Sequence, residues 1–108
     1  MSEWQQTTIE TQFADGDYLF RIALPDKDLT GPANFVSIVN GQSEEFLFYI
    51  KTNVISTNGT LTLYFAKISS NKISSTYQNI VFNTDGTITM NTFDASALGL
   101  KIYYIKIN

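Results

Sequence analysis

The chain reads as an all-β domain, either an eight-stranded antiparallel β-sandwich of jelly-roll-like form or a flattened barrel. Turn chemistry is the first observation behind this reading. Asp15-Gly16, Asn40-Gly41, Asn58-Gly59 and Asp85-Gly86 are dipeptides that tolerate positive φ at both central positions of a type I′ hairpin turn. Ser69-Ser70-Asn71 adds a fifth turn. Periodicity is the second observation: the intervening segments are rich in Ile, Val, Phe, Tyr and Thr and alternate with period two, and no long segment keeps a 3.6-residue period.

Strands are expected near 5–14, 17–24, 34–39, 44–56, 60–69, 72–83, 87–93 and 100–107. Short hairpins between them make sequence neighbours pair antiparallel. Two connections are longer. Pro25 to Ala33 is closed by prolines and has room for one helical turn; Asp94 to Gly99 opens on an N-cap-like aspartate and stops at a glycine. Both are candidate crossovers between sheets. With no internal repeat or linker, and a length that supports one core, residues 1–108 form a single β-sandwich domain.

Alternation then assigns faces. From Asp17 to Leu24, one face collects Tyr18, Phe20, Ile22 and Leu24 while the other carries Asp17, Leu19, Arg21 and Ala23, the pattern of a sheet wet on one side. Phe20, Ile22, Phe48, Ile50, Leu63, Phe65, Val81, Ile102 and Tyr104 are the expected core. Three strands carry apolar groups on both faces. Leu47, Tyr49, Tyr64, Tyr103 and Ile105 lie opposite the expected core residues, and a two-layer sandwich dries only one face of each sheet. A contiguous apolar second face is covered by a loop, a partner or a ligand, so these five residues are the expected oligomer interface.

Composition excludes several chemistries. The chain has neither Cys nor His, which removes disulfides, thiolate and imidazole metal ligands, the cysteine nucleophile and the base of a Ser-His-Asp triad. No Walker A, G-x-G-x-x-G or G-x-S-x-G motif occurs. Glu44 and Glu45, an adjacent carboxylate pair, point to opposite faces of a strand and cannot converge as a glycosidase pair. The expectation is a protein that is not an enzyme, with no cofactor and no metal. Asp15-Gly16-Asp17 and Asp26-Lys27-Asp28 are hard oxygen donors of the calcium type, but neither extends to an EF-hand loop and the first is explained by a turn.

A net charge of −3 and a pI near 4.6 oppose a phosphate backbone, so nucleic acid is not an expected partner. The first residues carry no basic and apolar leader, and no run of 18 apolar residues occurs; neither a cleaved signal nor a membrane span is expected. Asn58-Gly59-Thr60 matches a glycosylation sequon, for which the hairpin reading suffices. Residues 1–50 carry a balance of −6 and residues 51–108 of +3, a polarity that interleaved strands would largely cancel. The 15 aromatic residues exceed what a small core needs. Trp4 and Tyr77 are candidate ligand-platform residues, since a ring covers sugar C–H faces while neighbouring amides bond hydroxyls.

A chain without His or Cys, built of short Thr-, Asn- and Ser-rich strands with Asn-Gly and Asp-Gly hairpins, resembles the small β-sandwich proteins of bacteriophage virions: capsid decoration proteins, fibre tips and receptor-binding domains. Asn58-Gly59-Thr60-Leu61-Thr62-Leu63-Tyr64-Phe65 and Asn83-Thr84-Asp85-Gly86-Thr87-Ile88-Thr89-Met90 carry the likeness. It covers the whole chain in style and contains no diagnostic motif. The resemblance implies a symmetric homo-oligomer, often a trimer, attached to other virion proteins or to surface glycans, and hence a virion location; outside a virion the location expected is the cytoplasm. The leading expectation is a non-enzymatic structural or adhesive module that oligomerises and binds a larger particle or host surface. A carbohydrate-binding module and a small acidic protein inhibitor are the alternatives.

Overall fold

The computed structural model describes residues 3–8, 10–23, 29–53, 59–95 and 99–108, with the backbone alone described for 29–31 and 49–53. Eight strands form among them: β1 (Gln5–Gln6), β2 (Gly16–Ala23), β3 (Leu29–Ile38), β4 (Phe46–Asn53), β5 (Thr60–Ser69), β6 (Lys72–Phe82), β7 (Ile88–Asp94) and β8 (Lys101–Lys106). They make two four-stranded antiparallel sheets, ordered β1-β8-β2-β3 and β4-β5-β6-β7. The sheets are not closed into a barrel. The second is a sequential meander, so the chain passes between the sheets only at β3–β4 and β7–β8, and not at successive strands as in a jelly roll.

The turns explain most of this order. Asn40 and Gly41 both have positive φ (53° and 73°), as do Ser70 and Asn71 (52° and 64°), the geometry of two-residue hairpin turns. Asn71 ties three segments together: its backbone N–H donates to Gly41 O, its Nδ2 to Phe13 O, and its carbonyl accepts from Phe13 N. The Asp85-Gly86 turn is a longer loop, with Asn83 N donating to Thr87 O and positive φ only at Gly86. Asn58, half of the fourth expected turn, lies outside the described residues.

Asp15-Gly16 is not a hairpin. The expected strand 5–14 shrinks to Gln5–Gln6 because the Thr8 and Thr11 hydroxyls take over the backbone: Thr8 N donates to Thr11 Oγ1 at 2.7 Å and Glu10 N to Thr8 Oγ1 at 3.2 Å. Such local side-chain bonds compete with a ladder. The chain then turns Phe13 inward, where its ring meets those of Tyr18, Phe20 and Tyr104 at 5.7, 5.5 and 5.0 Å. Gly16, with φ of 149°, lies so close to the segment after β8 that a Cβ there would sit 2.3 Å from Asn108 O.

The expected crossover at 25–33 is corrected as well. β2 and β3 are neighbours in one sheet, with Phe20 opposite Asn34 and Ile22 opposite Thr30, so Gly31-Pro32-Ala33 bulges out of the ladder. An edge strand tolerates a proline, which has no N–H to donate. The crossing falls instead after β3, where pairing stops at the Val39–Gln42 bridge. There Ser43 is hooked onto the other sheet, its N–H donating to Ile68 O and its Oγ accepting from Ile68 N at 2.8 Å. The crossover expected after Asp94 is present, joining β7 to β8 across the sheets. Because β8, with Lys101 and Lys106, inserts between β1 and β2, the charge polarity of the two halves is partly mixed.

Phe20, Ile22, Phe48 and Ile102 are buried as expected, and Tyr104 packs against them. The phase of β5 is inverted. Tyr64, Ala66 and Ile68 face inward while Leu63 and Phe65 stay partly exposed on the other side. Both faces of β5 are apolar, so the facing sheet decides: small Ala66 sits beside Phe46, its cross-strand partner, whose ring lies 5.2 Å from Phe20 of the opposite sheet. An extra residue at Phe48 breaks the β4–β5 register between Leu47 and Tyr49. Val81 is only partly buried, and the Ile50 side chain lies outside the described residues.

Candidate functional site

The first sheet turns an apolar row to the outside. Tyr18, Phe20, Ile22, Ile102 and Tyr104 take the inner face, which leaves the alternate positions of β8, β2 and β3 outward. The register puts Ile105 beside Leu19 and Leu19 beside Phe35. Next to this row Tyr103 pairs with Arg21, whose guanidinium lies 5.5 Å from the Trp4 ring centroid. On the other side Asp17 pairs with Ser37, which donates its hydroxyl to Asp17 Oδ1 at 2.7 Å. Phe35 is 63% exposed and Ile107 50%. A groove of about 640 Å³ opens beside Phe35 and Val39 and is lined also by Gln42, Ser43, Glu44 and Glu45.

Trp4, Tyr103 and Ile105, expected separately as platform and interface residues, thus come together. Leu47 does not join them: paired with Phe65, it lies on the outer face of the second sheet. Tyr64 is corrected from interface to core, 8% exposed, for the reason that inverts β5. The Tyr49 side chain lies outside the described residues. Tyr77 is half-buried on the inner face of the second sheet, far in topology from Trp4, so the two do not form one platform. Leu19 and Phe35 were not anticipated; their two-residue alternation with the core positions Phe20 and Val36 was the available signal.

Tyr77 belongs to another arrangement. Tyr64, Tyr77 and Phe93 are cross-strand neighbours, with ring centroids 5.9 and 5.0 Å apart, the second pair stacked. The next row holds Thr62, Asn79 and Asn91, Thr62 donating to Asn79 Oδ1 at 2.8 Å. Burial on this face ends at Tyr64, and every residue of β7 is exposed.

Carboxylates are engaged in turns. Asp15 accepts from Asn40 N at 2.8 Å and Gly41 N at 2.9 Å. Asp85 accepts from the Thr87 hydroxyl and backbone N–H, which hold its carboxyl below the usual range. Asp26 and Asp28 lie outside the described residues, among which no group of three or more acidic side chains converges as a metal site. No helix among them is long and apolar enough to cross a membrane.

No family model, curated protein or solved structure matches this chain.

Proposed function

We propose that the chain is a non-enzymatic assembly module of virion type, structural or adhesive, that associates through the outer face of its first sheet. The row Ile105–Leu19–Phe35, flanked by Trp4 and Tyr103, is the observation that carries this reading. A protein with few charges gains little from leaving five large apolar side chains together in water, and aromatic anchors of this kind dominate interface energetics. Arg21, Asp17 and the groove carboxylates Glu44 and Glu45 supply a polar rim, which limits the modes in which a partner seats. Replacing Phe35 and Ile107, both exposed, with Asp leaves the core untouched. The double variant should keep the wild-type circular dichroism spectrum and show a lower mass by light scattering. An unchanged mass would remove this face from the assembly.

A carbohydrate-contacting role is the second reading, favoured by the row of Tyr77 and Phe93 rings followed by Asn79 and Asn91. Flat aromatic surface beside side-chain amides suits a sugar ring. Glycan-array binding that is lost on Phe93→Ala and retained on Phe35→Asp would establish it over the first.

A further inference from the structure

Among the described residues four edge strands bound the two sheets, and three of them carry features that discourage pairing with another strand. β1 is two residues long. β3 is interrupted by the Gly31-Pro32-Ala33 bulge, and β4 by the irregularity at Phe48. Short length, proline, bulges and lysine are the devices by which natural sheets blunt their edges. β7 has none of them. It runs seven residues, Ile88–Asp94, in unbroken register with β6. It contains no proline or basic residue, and between Lys72 and Asp94 the sequence carries a single charge, Asp85 at the tip of the turn.

The surface beside this edge is apolar. On the outer face Phe82 pairs with Ile88, and Ile80 with Met90; Phe93 is on the inner face. Phe82, Ile88, Met90 and Phe93 are 41, 58, 63 and 43% exposed, on the order of 400 Å² in all if each side chain presents about 200 Å² when free. That is roughly half of the ~800 Å² each partner of a standard interface buries, before the strand's backbone and polar side chains are added.

We infer that β7 is a homodimerisation edge: two copies pair their β7 strands antiparallel about a two-fold axis through Asn91, joining the second sheets into one eight-stranded sheet. A second copy is the occupant that the charge pattern favours. An axis at Asn91 overlaps all seven residues and sets the two Asn91 amides opposite each other. Met90 of each copy comes to diagonal distance on the outer face, merging the two apolar patches. Asp94 of each copy then lies opposite Ile88 of the other, so the nearest like charge is Asp85 of the other copy, three residues before Ile88 and roughly 10 Å away at ~3.4 Å per residue, about one Debye length, while the two Asp94 carboxylates stand roughly 20 Å apart. Isologous pairing also closes the edge in both copies at once, which a head-to-tail contact does not.

This interface rests on the assembly reading above but uses a different surface, so the test is made in the Phe35→Asp/Ile107→Asp background. There the protein should sediment at twice 12.1 kDa, and adding Met90→Lys, at an exposed position, should return it to 12.1 kDa with the same circular dichroism spectrum. The chain has no cysteine, so single cysteines report the geometry. Opposed residues of an antiparallel pair have Cα atoms about 4.5–5.5 Å apart, within disulfide range, whereas residues one step from the axis face their own mates at roughly 8 Å, outside it. Asn91→Cys should therefore cross-link on oxidation, with Met90→Cys and Thr92→Cys far behind. A monomeric background variant, a dimer that survives Met90→Lys, or cross-linking no stronger at 91 than at 90 and 92 overturns the inference. If wild type is heavier than the background variant and that variant is a monomer, the assembly reading stands without this edge. If the two have the same dimeric mass and Asn91→Cys cross-links, the edge stands and the first-sheet face does not.

Discussion

Tyr64 and Phe65 are adjacent on β5 and point to opposite sides of the second sheet, and truncating each to Ala measures which side is the core. Tyr64 is 8% exposed and its ring centroid lies 5.9 Å from that of Tyr77. Removing it deletes most of a buried ring and leaves a cavity between the sheets, at a cost of about 3 to 5 kcal/mol. Phe65 faces outward and is partly exposed, so solvent fills the space it leaves and the loss is about 1 to 2 kcal/mol. Against the roughly 5–15 kcal/mol stability of a small domain, the first variant loses a large part of its reserve and the second a minor one. Urea titration at fixed protein concentration reads the difference. With an m-value of about 1–3 kcal/mol/M, the Tyr64→Ala midpoint should fall by on the order of 2 M and that of Phe65→Ala by less than about 1 M. Equal losses, or a larger one at Phe65, would refute the inward phase of Tyr64, Ala66 and Ile68.

Other expectations follow from the turns and the tyrosine cluster. Gly16→Ala should destabilise by about 1 to 3 kcal/mol, more than Gly86→Ala, because a Cβ at 16 meets backbone Asn108 O at 2.3 Å whereas one at 86 meets nothing within 4 Å; thermal melts of the pair check the order. Asp15→Ala removes the acceptor of the Asn40 and Gly41 N–H groups and should cost about 1 to 2 kcal/mol in the same assay, with Asp15→Asn recovering part of it. Tyr18 is held above its ordinary pKa of 10.0, by burial first and then by Tyr104 and Asp15. The folded state therefore keeps the phenol proton more tightly, and this contribution is complete below pH 10 and lost as pH rises through the folded value. Tyr18→Phe should flatten the alkaline fall in stability, while losing about 1 kcal/mol at neutral pH with the bond from the Tyr18 hydroxyl to Ala14 O.

Strands were legible from alternation, as in β2 and β8, and their ends most sharply where a turn signal agreed, as at Asn40-Gly41 and between β5 and β6 at Ser70-Asn71. They were not legible where side chains competed with the ladder, as at Thr8 and Thr11, or where proline sat in an edge strand, since edge position depends on sheet order and not on local sequence. The phase of β5 was hidden for a related reason: Leu61, Leu63 and Phe65 are as apolar as Tyr64, Ala66 and Ile68, and only the opposing Phe20–Phe46 contact separates them. Tyr103 and Ile105 were legible as a second face because Ile102 and Tyr104 fix the inner side of β8. Their neighbours Leu19 and Phe35 become neighbours only through the β8-β2-β3 order, which brings together residues 105, 19 and 35. The open β7 edge was hidden in the same way.

The proposed function requires assembly through surfaces that the core leaves uncovered. Sedimentation equilibrium of the wild type beside the Phe35→Asp/Ile107→Asp/Met90→Lys variant tests it most directly. The wild type should exceed 12.1 kDa at concentrations down to about 10 µM, and the triple variant should be a folded 12.1 kDa species throughout. A wild type that remains at 12.1 kDa up to about 100 µM would contradict it.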